Sequence, residues 1–124
     1  MYRTVKIGGK DVPMMSTAAT DFFYRQIFHA DPTRIQYSLG EDENENEIIM
    51  LDFLQKMGFV MAKNAEISAV SEMVKLSEAD FYEWLIQFDR AEYLDALENI
   101  RRVYDGQDVT EIESKKNPEE PSEK

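Results

Sequence analysis

The sequence predicts a mainly α fold of the α+β kind: a small helical domain with an N-terminal β-hairpin and a disordered acidic C-terminal tail. Three observations predict it. Apolar residues alternate at period two around Gly8-Gly9, recur at helical spacing from Phe22 to Tyr104, and thin out abruptly after Gly106. The folded domain is accordingly placed at 1–106, with the hairpin at about 2–15 and the helices over about 17–104, and the tail at 107–124.

In the hairpin, Tyr2 to Ile7 is β-prone, and Val5 and Ile7 share one face. Gly8-Gly9 supplies the turn, because glycine takes positive φ without steric cost. Asp11 to Met15 returns as the second strand. Pro13 cannot donate to a ladder, so this strand is expected at an edge or to be short.

The period becomes helical from Ser16. Ser16 or Thr17 can cap, Asp21 suits the positive end of the macrodipole, and Phe22, Phe23 and Ile27 form a stripe. Asp31-Pro32 ends this helix and starts a short one near Thr33 to Leu39, with Asp31 as cap and Pro32 in the first position. Glu41 to Glu47 is an acidic connector. The strongest helix follows at about Glu45 to Asn64. Met50, Leu54, Met57 and Met61 form one stripe and Ile49, Phe53 and Val60 its neighbour, so a wide face is apolar and the helix is expected to be central. Gly58 inside it implies close packing against another backbone, since a glycine there costs about 1 kcal/mol.

Ala65 to Lys75 reads as a short helix. Ser77-Glu78-Ala79-Asp80 resembles a capping box, and Phe81, Trp84, Leu85 and Phe88 follow at helical spacing. A last helix, about Ala91 to Tyr104, carries Tyr93, Leu97, Ile100 and Tyr104 in register and stops at Gly106. From Ser114 to Lys124 there are two prolines and no apolar side chain, too little to offset the entropy of ordering the segment.

A chain of 124 residues is long enough for one core without staples. It has no cysteine, which excludes disulfides, thiol catalysis and cysteine-bound zinc or iron–sulfur centres. Its 14 Lys and Arg against 25 Asp and Glu leave a net charge of −11, which repels nucleic acid and anionic membrane. No signal peptide opens the sequence, and runs such as Ile48-Ile49-Met50-Leu51 are too short to span a bilayer. A soluble intracellular protein is expected.

The candidates for chemistry fail one by one. Gly8-Gly9-Lys10 lacks the first glycine of a phosphate loop, has Asp11 where a hydroxyl is needed, and precedes a strand rather than a helix. Asp42, Asn44 and Asn46 open like a calcium loop, but Glu47 stands at the glycine position and Phe53 at the closing glutamate. His29 is the only histidine and sits at a helix end that favours a cation anyway. The seven methionines fall at core spacing beside Phe and Leu. No catalytic residue, metal ligand or cofactor is expected, and the chain is read as a non-enzyme.

The order of segments does resemble a family. The glycine-turn hairpin leads into Ser16-Thr17-Ala18-Ala19-Thr20 and an aromatic helix through Tyr24-Arg25-Gln26. The central helix ends in Val60-Met61-Ala62-Lys63, and Phe81-Tyr82-Glu83-Trp84-Leu85-Ile86-Gln87-Phe88 follows. In these features, over about Val5 to Tyr104, the chain resembles the tail assembly chaperones of long-tailed bacteriophages (siphophages) and their prophages.

The resemblance implies a non-catalytic protein of the host bacterial cytoplasm that binds the helical, aggregation-prone tape measure protein. Such a protein gives way as tail tube (major tail) protein polymerises, and is absent from the mature virion. The resemblance also implies a longer form made by ribosomal frameshifting. Lys115-Lys116-Asn117 can be encoded by an A-rich slippery run, which places the frameshift point at Lys116 and Asn117 with this chain as the unshifted product. The expected partners are thus the tape measure protein, the tail tube protein, the frameshifted longer form and, as an open option, further copies of the chain. The candidate partner-binding residues are Val12 and Met14, at the hairpin edge, and Tyr104, on the apolar face of the last helix. Trp84 and Phe88 are assigned to the core instead. Two rivals come from other classes. An acidic inhibitor that mimics nucleic acid would bind a DNA-binding protein with steep salt dependence, and a small hydrolase would need converging titratable groups in a pocket.

Overall fold

The computed structural model describes residues 1–110. It places a two-stranded hairpin, β1 (Tyr2–Ile7) and β2 (Lys10–Met15), before six helices: α1 (Thr20–Phe28), α2 (Pro32–Tyr37), α3 (Glu43–Glu66), α4 (Val70–Met73), α5 (Glu78–Leu85) and α6 (Arg90–Tyr104). The mainly helical α+β class is the one the sequence predicts.

The strands are antiparallel, with Val5 opposite Val12 and Arg3 opposite Met14, and Gly8 turns the chain at φ 63°. Met1 and Ser16 exchange both backbone hydrogen bonds, at 2.8 and 2.6 Å. Bonded rungs alternate from there, so the rung of Thr4 and Pro13 is one in which neither residue donates across, and Pro13 costs the ladder nothing. Val5, Ile7 and Met14 are buried on the inner face, while Tyr2, Thr4, Lys6, Asp11 and Pro13 face solvent.

α1 begins at Thr20, later than expected, because neither proposed cap is free. Ser16 Oγ donates to the Val103 carbonyl at 2.8 Å, and Thr17 Oγ1 accepts from Ala19 N at 3.0 Å within a preceding turn that Thr20 Oγ1 closes on Thr17 N. The stripe also shifts: Phe22 is 39% exposed, and Tyr24, only 1% exposed, takes its place beside Phe23 and Ile27. His29 ends α1 in the left-handed region. Asp31 caps α2 by accepting from Thr33 N at 3.0 Å, with Pro32 in the first turn.

α3 is the spine. Asp42 caps it by accepting from Asn44 N and Glu45 N, and the Asn46 amide brackets the Gly40 backbone at 3.0 and 2.8 Å. The calcium-like spacing is thus a helix entrance. Met57 to Ala62 are all buried, so here the helix is surrounded rather than merely faced by core. A Cβ on Gly58 would lie 2.5 Å from Tyr93 Oη and 3.1 Å from Ile100 Cδ1. The tight contact is with side chains of α6 and not, as expected, with a backbone.

The capping box of α5 is present: Ser77 Oγ accepts from Asp80 N, and Asp80 Oδ2 accepts from Ser77 N at 2.9 Å. α5 stops at Leu85, so Phe88 lies in the following turn, its ring edge-on to Trp84 at 4.9 Å. Phe59 of α3 joins Phe28, Phe81 and Trp84 in one aromatic cluster, at 6.2, 5.7 and 5.7 Å. α6 ends in a Schellman turn: Gln107 N donates to Arg102 O, Gly106 N to Val103 O, and Gly106 has φ 79°.

The fold does not end at Gly106, where the tail was placed. Asn99, 3% exposed, donates to the Thr110 carbonyl at 2.6 Å and accepts from Thr110 N at 2.8 Å. Val109 packs against the core, and Asp108 holds Arg3. Gln107 to Thr110 is thus a docked segment. The rest of the expected tail, including Lys116 and Asn117, lies outside the described residues. Among the described residues, no helix is long and apolar enough to cross a membrane.

Candidate functional site

The hairpin residues proposed for a partner do not offer themselves to one. Met14 is fully buried on the inner face, because the register that sets it opposite Arg3 also turns it toward the core. Val12 lies on that same face, partly buried and packed on the core. The strand edges are also guarded. Pro13 has no N–H to present on β2. On β1 the Tyr2 carbonyl is taken at 2.8 Å by Arg3 Nη1, and the same guanidinium is anchored on Asp108 through Nη2 at 2.6 Å.

Tyr104 is half-buried. Its ring stands edge-on to Phe53 at 5.5 Å, and its hydroxyl donates to Asp21 Oδ1 at 2.8 Å. Burial first, then the bond to Asp21, pushes this phenol above its ordinary range. Tyr104 and Asp21, with Ser16 and Thr17, line a wide hollow of about 530 Å³, and neither Val12 nor Met14 reaches it. The three proposed residues therefore do not share a surface hollow.

The seam between α3 and α6 has a different character. A hollow of about 230 Å³ is lined by Leu51 and Gln55 of α3, Leu85 and Phe88 of the α5 end, and Arg90, Tyr93 and Leu94 of α6. One turn further along both helices, Leu54 and Leu97 line a second hollow of about 380 Å³ with Glu98, Arg101 and Asp105. Tyr93 anchors the floor by donating its buried hydroxyl to the Gln55 carbonyl at 3.0 Å, and burial pushes that phenol above its usual value. Nearby in the sequence, Ile48 is 67% exposed and Ile86 80% exposed, though neither lines either hollow. The result is two separate hollows beside the α3–α6 seam, each with leucines in its lining.

Charge differs between the two hollows. At the second hollow Glu98 pairs with Arg102 and Arg101 with Asp105. Arg90 lines the first hollow, and Lys10 stands over the Phe88 ring at 5.3 Å. Around the start of α3, Glu41, Glu43, Glu45 and Glu47 are exposed and have no cationic partner among the described residues.

Sequence patterning missed the first hollow because Leu51 and Leu94 fall outside the core stripes. Leucines left over once the core face is assigned are the signal that marks it. Among the described residues no group of three or more His, Cys, Asp and Glu could hold a metal ion. Compared with known proteins, the chain matches no family model, no curated protein and no solved structure.

Proposed function

We propose that this chain is a tail assembly chaperone of a long-tailed bacteriophage or prophage. In this reading it is a non-catalytic protein of the host cytoplasm that binds the tape measure protein, helps recruit tail tube protein, and is absent from the finished virion. The observation that carries the reading on the molecular side is the pair of leucine-lined hollows beside the α3–α6 seam of a strongly acidic chain. A hollow beside a helix–helix seam is a place where an apolar side chain of a further helix can seat. The resemblance of the Val60-Met61-Ala62-Lys63 and Phe81 to Phe88 segments to this family supports the same reading.

The physics of the role is stoichiometric. Exposed apolar side chains such as Ile48 and Ile86 each contribute roughly 1–2 kcal/mol when covered, so one copy holds its client weakly. Many copies along one filament multiply that hold by avidity, and each still lets go when a polymerising competitor arrives. A net charge of −11 keeps the loaded complex dispersed.

The test is co-expression with a candidate tape measure protein, a long helical protein from the same genome. Its soluble fraction is expected to rise with the chaperone and the two to co-purify. An unchanged soluble fraction, or mature particles that retain the chain in bulk, refutes the proposal.

A further inference from the structure

We propose that the first hollow is a socket for one large aliphatic side chain of a protein partner that carries carboxylates next to it, with Arg90 and Lys10 receiving those carboxylates. This rests on the reading of the chain as a stoichiometric binder, and it names the surface and the client chemistry that reading leaves open.

Size and lining set the anchor. The hollow measures about 230 Å³, below the roughly 300–1,000 Å³ of sites that enclose a whole small molecule. Leu51, Leu85, Phe88 and Leu94 line it and are only half-buried, so apolar surface is still open to a further side chain. The hydroxyl in the lining is spent internally, since Tyr93 donates to the Gln55 carbonyl at 3.0 Å. An aliphatic side chain seated there gains contacts without stranding that hydroxyl.

Charge sets what stands beside the anchor. Arg90 lines the hollow, is exposed, and forms no ion pair among the described residues. Lys10 stands over the Phe88 ring at 5.3 Å. Its ammonium bonds neutral acceptors, the Gln87 carbonyl and Gln87 Oε1, each at 3.3 Å, which leaves a third donor to give. Asp89, the neighbour of Arg90 in the chain, is engaged as the α6 cap, accepting from Glu92 N. In a chain at −11, two cations with no ion pair among the described residues beside one apolar hollow reverse the sign locally. A guanidinium receives a carboxylate through paired N–H donors. A partner with glutamate or aspartate next to its aliphatic anchor therefore matches the hollow, and one with lysine there is opposed.

The experiment uses the full chain and short synthetic peptides with blocked ends: a central Glu-Leu-Glu, the same with lysine for both glutamates, and the same with alanine for the leucine. Affinity and site are read together by amide shifts on titration, at Leu51, Leu85 and Leu94. The Glu-Leu-Glu peptide is expected to bind with shifts at these amides. The alanine peptide should bind more than about tenfold more weakly, the loss of one buried aliphatic side chain. The lysine peptide should also bind more weakly. Net charge predicts the opposite order, because a chain at −11 repels glutamate and attracts lysine over distance. Arg90→Gln should weaken the Glu-Leu-Glu peptide about fivefold and Lys10→Gln about twofold, as for exposed pairs. Arg90→Glu should make the lysine peptide the better ligand. Lys75→Gln, at an exposed position outside both hollows, changes net charge as Arg90→Gln does and should leave affinity unchanged. All these positions are exposed, so the variants are expected to fold, which circular dichroism checks.

A lysine peptide that binds wild type as tightly as the glutamate peptide would overturn the proposal. So would equal losses in Arg90→Gln and Lys75→Gln, or shifts away from the hollow. A dimer that Arg90→Glu dissolves would assign the hollow to a second copy and overturn it too. The two readings fail separately. A tape measure protein held soluble by Arg90→Glu as well as by wild type removes the socket and leaves the chaperone. Capture of the Glu-Leu-Glu peptide at the hollow, with no effect on tape measure solubility, removes the chaperone and leaves the socket.

Discussion

Gly58→Ala puts the packing of α3 on α6 to a quantitative test. At an open helix position this change stabilises by about 1 kcal/mol, because glycine is the poorer helix former. Here the new Cβ falls 2.5 Å from Tyr93 Oη and 3.1 Å from Ile100 Cδ1. The Ile100 methyl ends a flexible side chain and can move by the few tenths of an ångström required. The hydroxyl cannot move without stretching its bond to the Gln55 carbonyl, 3.0 Å long and partly buried. Overpacking costs about 1–3 kcal/mol, and a weakened buried hydrogen bond about 1 kcal/mol more. After the propensity gain, the expected net loss is about 1–3 kcal/mol.

The assay is urea unfolding of wild type, Gly58→Ala, Tyr93→Phe and the double variant. Tyr93→Phe alone should cost about 1 kcal/mol. In its background the alanine finds the hydroxyl gone, so the double variant should be more stable than the sum of the singles by about 1–2 kcal/mol. A Gly58→Ala protein that gains about 1 kcal/mol, with no coupling to position 93, would falsify the argument.

Asn99→Leu leaves the Thr110 amide and carbonyl without their partner; it should cost about 1–3 kcal/mol and speed hydrogen exchange at Thr110 far more than at core amides such as that of Val60. Asp108→Asn removes the Arg3 ion pair, whose side chains are 40% and 79% exposed; the loss should stay below about 1 kcal/mol and vanish in molar salt, as a salt series of melting temperatures would show. Tyr24, Tyr93 and Tyr104 are held protonated above the ordinary phenol value of 10.0, chiefly by burial. The unfolded chain releases these protons at lower pH than the folded one. Their contribution is therefore complete below pH 10 and is lost as pH rises beyond it, so alkaline unfolding should coincide with the late part of the phenolate absorbance rise.

The parts of the fold written locally were legible. Gly8-Gly9 between period-two strands, Asp31-Pro32 and the Ser77 capping box each carry their instruction within a few residues, and the structure follows them. Instructions delivered from a distance were not. The start of α1 moved because Ser16 is claimed by Val103, 87 positions away. Nothing near Asn99 in the sequence announces its burial, which depends on Thr110 returning to meet it. Met14 was read as an edge residue because alternation alone does not tell which face of a hairpin the helices will cover; that is settled by Val5 and Ile7 on the facing strand. The candidate site was the least legible, since Leu51 and Leu94 look like surplus core until the seam between their helices is seen.

The anchoring of Thr110 on Asn99, with Asp108 clasping Arg3, gives any downstream polypeptide a fixed point of departure. A fluorophore, cross-linker or fused reporter attached just after Thr110 starts from a known address beside the hairpin instead of drifting from the end of α6. Its reach across the surface can then be calculated from linker length alone, which makes that junction the natural place to mount a molecular ruler.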